Sequence, residues 1–241
     1  MPNNIVTLNV SQTVAPNPST LQQTGAFLSS GGTTLAPGSY SYLTQFSDLA
    51  PLLVTPGTLA TLAWTGGTVT ATSSTAHGYP IGKQIPITIS GAVPSTYNGT
   101  YLATITTTTQ FTYALANNPG SATTPGTYVS GSVSELTAMA TTFFAQGSSI
   151  GVYVVELGIG DVAGGTAALS TFINNNNQPQ LIYDYLIPRF WDGVSAFVNF
   201  LQNYNATTAK TYFTITTTDA TRSSYPNTYK CAYLFVDAPG I

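Results

Sequence analysis

The sequence predicts an α+β protein in which a split α/β domain, a sheet with packed helices, carries an inserted small all-β sandwich or barrel domain. Three observations carry that reading. Residues 57–131 run through short alternating segments at roughly ten-residue spacing with no helical period, the pattern of a small sandwich or barrel. Residues 132–241 alternate helical and strand patterns, which predicts helices packed on a sheet through parallel crossovers. The first helix of that third region also follows the strand pattern at 40–46 naturally once the Thr-rich block between them is taken out. Insertions are tolerated at loop tips, because the cost of closing a loop grows slowly with its length. The chain therefore divides into an extended N-terminal arm (1–20), a discontinuous α/β domain (21–56 and 132–241) and an inserted all-β domain (57–131).

Composition narrows the possibilities. Only 5% of the 241 residues are charged, against roughly a quarter in average soluble proteins. Disorder does not explain this, because disordered chains are rich in charge and poor in aromatics, whereas this chain has 15 Tyr and 11 Phe. Its surface must be covered by Thr, Ser, Asn, Gln and Gly. A net charge of −3 opposes association between copies only weakly. Nucleic acid is not an expected partner, since Lys83, Arg189, Lys210, Arg222 and Lys230 are scattered and form no phosphate-tracking stripe. The opening Met1-Pro2-Asn3-Asn4 lacks the basic and apolar regions of a signal peptide, and no apolar run reaches the ~18 residues of a spanning helix. The expectation is a protein that stays soluble or assembles in the cytoplasm without membrane binding. With Cys231 as the single cysteine, an intrachain disulfide is excluded.

Along the first region, Ile5, Val6, Leu8 and Val10 mark a short alternating strand, followed by the extended Pro/Asn/Ser stretch 15–19. Residues 26–28 form a second apolar segment and 40–46 a strand, with Ser47 and Asp48 placed to cap a short helix through Leu53. In the middle region, 60–64, 68–72, 85–89, 101–105 and 111–115 read as strands, with turns at Asn98-Gly99 and Asn118-Pro119-Gly120. In the third, Ser132-Val133-Ser134-Glu135 has the spacing of a capping box. Val133, Leu136, Met139, Ala140, Phe143 and Phe144 then share one helical face, and Gly147 is a fitting stop. Residues 152–157 read as a buried strand, Leu169, Phe172 and Ile173 stripe a helix, and 181–187 are a second strand. Asp192 is placed to cap a helix bearing Val194, Phe197, Val198 and Leu201, and 212–218 and 233–236 are the last strands.

Catalytic equipment is sparse. His77 is the only histidine and has no sequence-local nucleophile or orienting acid. A turn role in His77-Gly78 is the simpler reading, since His tolerates positive φ better than most residues. One His and one Cys cannot make a His/Cys zinc site, which needs several such ligands. Of the eight acids, Asp48, Glu135 and Asp192 have capping roles, Glu156 ends a strand, and Asp219 and Asp237 are isolated. Gly158-Ile159-Gly160-Asp161-Val162-Ala163 imitates the dinucleotide fingerprint between strand and helix, with Asp184 as the distal acid. Yet Asp184 falls inside a strand, and Gly164-Gly165 would delay the helix start, so a flexible loop is favoured. Asn98 and Asn205 open sequons that read as a turn and a helix end, and Cys231 as a small apolar strand residue. No catalytic, metal or cofactor site is expected, and the chain is not read as an enzyme.

Two resemblances sharpen the expectation. Phe143-Phe144-Ala145-Gln146-Gly147, Val152-Tyr153-Val154-Val155-Glu156-Leu157, Tyr183-Asp184-Tyr185-Leu186-Ile187-Pro188 and Tyr212-Phe213-Thr214-Ile215-Thr216, in their order after an extended arm, resemble contractile phage tail sheath proteins over about residues 5–56 and 132–241. Ala76-His77-Gly78-Tyr79-Pro80, Gly82, Ile85-Pro86-Ile87-Thr88-Ile89-Ser90-Gly91, Tyr97-Asn98-Gly99-Thr100-Tyr101 and Gln110-Phe111-Thr112-Tyr113 resemble a small all-β module of phage virion proteins. Sheath proteins of this kind continue into a C-terminal domain with another arm, whereas this sequence stops at Ile241. The resemblance implies a virion subunit, assembled in the host cytoplasm, that polymerises with itself as stacked rings around a tail tube protein and meets baseplate and tail terminator. It further implies that terminal arms add strands to neighbouring sheets, here through Ile5, Val6, Leu8 and Val10, with the inserted domain on the outer surface. The alternatives are a tube or baseplate component, or a carbohydrate- or receptor-binding module in which Trp64, Tyr79 and Tyr97 would cluster on an exposed face.

Overall fold

The computed structural model of the protein describes residues 24–147, 150–176, 181–206, 210–225 and 231–235. It is a mixed α/β structure with a six-stranded sheet and a closed six-stranded β-barrel. The expected strand at 5–10 and Asp237 lie outside the described residues.

The barrel is made of β3 (Gly57–Thr65), β4 (Thr68–Ser73), β5 (Gln84–Ser90), β6 (Gly99–Ile105), β7 (Gln110–Ala114) and β8 (Thr127–Ser130), closed in the order β3-β4-β7-β6-β5-β8. Alternation makes it: Val69 and Ala71 on β4, Ile85, Ile87 and Ile89 on β5, and Phe111 and Tyr113 on β7 point into one core. Thr alternates with them on β4 and β7, while on β5 the alternating positions are the buried Pro86 and the half-buried Thr88, and Thr70 stands opposite Thr112, which faces Thr104. The β3–β4 hairpin closes on Gly66-Gly67, both at positive φ (54° and 89°), as a two-residue turn matched to the strand twist requires. The predicted strands all appear. The sixth, β8, is short and carries no signal of its own. It exists because the barrel supplies partners on both sides, β3 through Gly57↔Tyr128 and β5 through Thr88↔Val129.

The open sheet has the order β12-β11-β10-β1-β9-β2, built from β1 (Gly25–Ser29), β2 (Tyr40–Leu43), β9 (Val152–Glu156), β10 (Asp184–Leu186), β11 (Tyr212–Thr217) and β12 (Cys231–Phe235). All neighbours are parallel except the edge strand β2, which runs antiparallel to β9. Handedness explains where the helices lie. The connections β9→β10, β10→β11 and β11→β12 all step the same way across the sheet, and right-handed crossovers put them on one face. There α2 (Val162–Thr171) and α3 (Ser195–Gln202) pack Leu169, Phe197, Phe200 and Leu201 against Ala26, Leu28, Val155, Tyr185 and Phe213, while Tyr225, after α4 (Asp219–Arg222), joins them. The route from β1 to β9 steps the opposite way, and its helix α1 (Gly131–Ala145) covers the other face, placing Leu136 and Ala140 on Phe27, Val152 and Val154.

Several local expectations are corrected. The helix expected after Asp48 is two single 3-10 turns, Phe46–Asp48 and Ala50–Leu52, and Asp48 reaches back to accept from the Thr44 and Gln45 backbone N–H groups. The N-cap of α1 is Ser130, whose hydroxyl accepts from the Ser132 backbone N–H. Ser132 and Glu135 are therefore helical, and Glu135 accepts instead from the Arg189 backbone N–H. Asp192 caps nothing: α3 starts after Val194 with no side-chain cap, and the Asp192 carboxylate takes the Tyr225 hydroxyl at 2.6 Å. The expected strand 181–187 is regular only over Asp184–Leu186. For Ser132, Glu135 and Asp192 a tertiary partner, Ser30, Arg189 and Tyr225 respectively, outcompeted the local hydrogen bond that the spacing suggested.

Candidate functional site

In open parallel sheets, ligands bind in the crevice at the carboxyl ends of the strands where the chain departs to opposite faces. Here that point lies between β1 and β9, whose last residues, Ser29 and Glu156, stand opposite one another. The crevice is filled from within. Glu156 is 1% exposed. Its Oε1 accepts from the backbone N–H groups of Gly31 and Gly158, each at 2.7 Å. Its Oε2 accepts from the Ser29 hydroxyl at 2.6 Å, the Thr33 hydroxyl at 2.8 Å and the Thr33 backbone N–H at 3.1 Å. Every contact is a donor, which suits the acceptor-only carboxylate. Among the described residues the one ion pair is elsewhere, so hydrogen bonds alone compensate this buried acid.

The fingerprint-like loop beside it is closed to an outside phosphate. Asp161 is the N-cap of α2 and accepts from the Gly164 backbone N–H at 3.0 Å. Its other oxygen meets the Lys83 ammonium at 2.8 Å, and this contact with Lys83, then the Gly164 N–H, holds the Asp161 carboxyl below the usual range. A carboxylate already occupies the positive end of the helix. Gly164 and Gly165 do not delay the helix, as the spacing suggested. They lie within it, and Gly165 is there because a Cβ would fall 2.4 Å from the Trp191 ring. Asp184 opens β10, where burial pushes its carboxyl up against the opposing hydrogen bond from the Thr214 hydroxyl.

The other singled-out residues are dispersed. In His77-Gly78 the positive φ (73°) belongs to the glycine, not to His77 as expected. His77 Nδ1 accepts from the Tyr79 backbone N–H at 3.1 Å, and its ring stacks on Tyr79. Burial pushes its pKa down. Asn98 both accepts from and donates to the Ala92 backbone, which occupies its amide inside the molecule. Cys231 sits half-buried on β12, where burial raises its pKa. Among the described residues no three His, Cys, Asp or Glu side chains gather as a metal site, and no helix is long and apolar enough to cross a membrane. The exposed aromatic cluster that the binding-module alternative requires is not formed: Tyr97 is 1% exposed in the barrel core, Trp64 is half-buried with its indole N–H donated to the Leu115 carbonyl, and Tyr79 packs against that core.

What the sheet does offer is an edge. Among the described residues β2 pairs only with β9. Its sequence Tyr40-Ser41-Tyr42-Leu43 contains none of the charges or prolines that usually blunt an edge, and Tyr40 and Tyr42 are 43% and 44% exposed. The two rings flank Tyr153 and, through Tyr40, reach Phe172, a continuous aromatic strip beside the edge. The sequence marks 40–46 as a strand, and the sheet order places it at an edge.

No known family model and no curated protein matches this chain. The functional reading therefore rests on the residues and their geometry.

Proposed function

We propose that this chain is a structural subunit of a contractile phage tail sheath, a discontinuous α/β domain (21–56 and 132–241) carrying an inserted barrel domain (57–131), and that it has no enzymatic activity and no cofactor. One observation carries the proposal. Strands from both sides of the barrel segment complete a single sheet, while the barrel closes around a core cluster of its own. That is the organisation the sheath resemblance implies. Glu156 occupies the crevice at β1/β9 with the chain's own carboxylate, which is in keeping with a mechanical role.

In this reading the arm residues Ile5, Val6, Leu8 and Val10 of one copy add a strand to the open β2 edge of the next. Residues 1–23 contain no Asp, Glu, Lys or Arg, which suits an edge flanked by Tyr40 and Tyr42. Backbone pairing supplies the affinity and depends little on side-chain identity. Repetition of such a head-to-tail contact builds rings and sleeves rather than closed dimers. The partners are further copies, a tail tube protein, and baseplate and terminator components of the virion; neither nucleic acid nor membrane takes part. Contraction is a rigid-body rearrangement of subunits with the arms as tethers.

Electron microscopy of the purified protein tests this. Stacked rings or helical sleeves are expected, and a protein that stays monomeric at every concentration and with tube protein added would overturn the proposal. Deleting residues 1–14 is expected to abolish assembly while leaving the circular dichroism spectrum unchanged.

A further inference from the structure

We propose that the loop after β1 forms an anion cradle which the chain occupies with its own side chain, so that Glu156 acts as a built-in carboxylate ligand whose presence seats the barrel on the sheet. The donor set is that of an anion site: backbone N–H groups of Gly31, Thr33 and Gly158 and hydroxyls of Ser29 and Thr33 converge on two oxygens within 2.6–3.1 Å. Backbone N–H groups that converge on one point make anion-binding concavities. Here they sit at the position where parallel sheets take their ligands.

The same loop is the barrel's root. Ser30, next to the cradle, donates its backbone N–H to the Ser132 hydroxyl at 3.1 Å. Its carbonyl accepts from the hydroxyls of Ser130 at 3.1 Å and Ser132 at 3.4 Å. Ser130 is both the last residue of β8 and the N-cap of α1. Ser29 links the two halves, donating to Glu156 and accepting from the Gly32 backbone N–H at 2.9 Å. Gly32 permits this approach, since a Cβ there would lie 2.8 Å from the Ser132 Cβ. Ser29, Ser30, Ser130, Ser132 and Glu156 are each at most 2% exposed. In a buried polar chain of this kind each further donor that loses its acceptor carries a desolvation cost, added to that of the Ser30 hydroxyl, which is already buried without a hydrogen-bond partner. Loss of the carboxylate therefore releases the loop from β9 and loosens its grip on Ser130 and Ser132.

The test is chemical rescue in the full chain. Glu156→Ala removes the carboxylate and leaves room for acetate. The expected result is a lowered Tm that rises saturably with acetate but not with chloride at equal ionic strength, as a ligand of the native state requires, while the wild-type Tm does not move. By amide hydrogen exchange, Gly31, Thr33 and Gly158 should lose protection by about 10–100-fold, Ser30 and Ser132 should lose it with them, and acetate should restore all five. Acetate without effect on the variant, or an equal shift in wild type, overturns the cradle. Full protection at Ser30 and Ser132 in the variant overturns the seating of the barrel. Should Glu156→Ala not fold even in acetate, Glu156→Gln decides: it keeps the shape but brings donors where donors already crowd. Wild-type protection at Gly31, Thr33 and Gly158 in that variant overturns the proposal.

Discussion

The barrel and the sheet are made from similar residues yet solve the problem of strand edges in opposite ways. The barrel closes on itself, so each of its six strands has partners on both sides. Its polar side chains are mostly Thr hydroxyls on the outside, and the acidic chemistry of the described chain lies outside it. Among the described residues the sheet stays open, with β2 and β12 at its edges, and it buries a carboxylate at the end of β9. Closure removes the means of pairing with another chain, and an open, uncharged edge provides it. The closed barrel is thus the less suited to strand exchange, and the edge open to pairing belongs to the sheet.

The two tryptophans make the comparison measurable, because Trp64 lies in the barrel and Trp191 in the sheet's helical layer. Replacing either with Phe leaves one fluorescent reporter. The largest effect is expected from Phe111→Ala, which empties a fully buried ring position in the barrel core. It should cost about 3–5 kcal/mol, shifting the urea transition seen by Trp64 much more than that seen by Trp191. A single shared transition would mean that the two cores unfold as one. Next is Gly165→Ala, the converse lesion on the sheet side. The added Cβ would sit 2.4 Å from a Trp191 ring that is 0% exposed, for an expected loss of about 1–3 kcal/mol. Unchanged Trp191 emission and stability would show that the layer repacks freely.

A smaller, pH-dependent difference should belong to the barrel alone. Burial depresses the His77 pKa relative to the unfolded chain, so between the two pKa values the unfolded state binds the extra proton. Its contribution is fully present above the unfolded value of about 6.5 and is lost as the pH falls through the folded value. Protonation of Nδ1 also removes the acceptor for the Tyr79 backbone N–H. Urea melts from pH 7.5 to 5 should show Trp64 losing stability, an effect absent in His77→Gln. The smallest effect is expected from Lys83→Met. The Lys83–Asp161 pair spans barrel and sheet but is 48% and 27% exposed, so its loss should cost less than about 1 kcal/mol and vanish in high salt. A larger loss at low salt would show that the pair, and not the buried serines, holds the barrel in place.

Much of this was legible in the chain. Period-two alternation in TVTAT and IPITI announces half-buried strands, because only strands put every second side chain on one face. The face shared by Leu136, Met139, Ala140 and Phe143 announces α1 for the corresponding helical reason. The change of texture between residues 56 and 132 marks the barrel segment. Caps are less legible: Ser132, Glu135 and Asp192 have the right spacing for local bonds, but Ser30, Arg189 and Tyr225 are the partners that hold them. Glu156 shows why the candidate site was harder still. Its sequence neighbourhood, an acid ending an apolar strand, says only that the strand ends, and its five donors come from residues up to 127 positions away.

By itself, then, the sequence determined most of the strands and helices, that charged residues are few, and that histidine and cysteine occur once each. These properties depend on local periodicity and composition. Tertiary structure alone decided that β1 lies at the sheet's centre and β2 at its edge, that β8 closes the barrel, and that the crevice between β1 and β9 is filled by Glu156. Those outcomes depend on strand order and crossover direction, which bring distant residues together and leave no periodic trace in the chain.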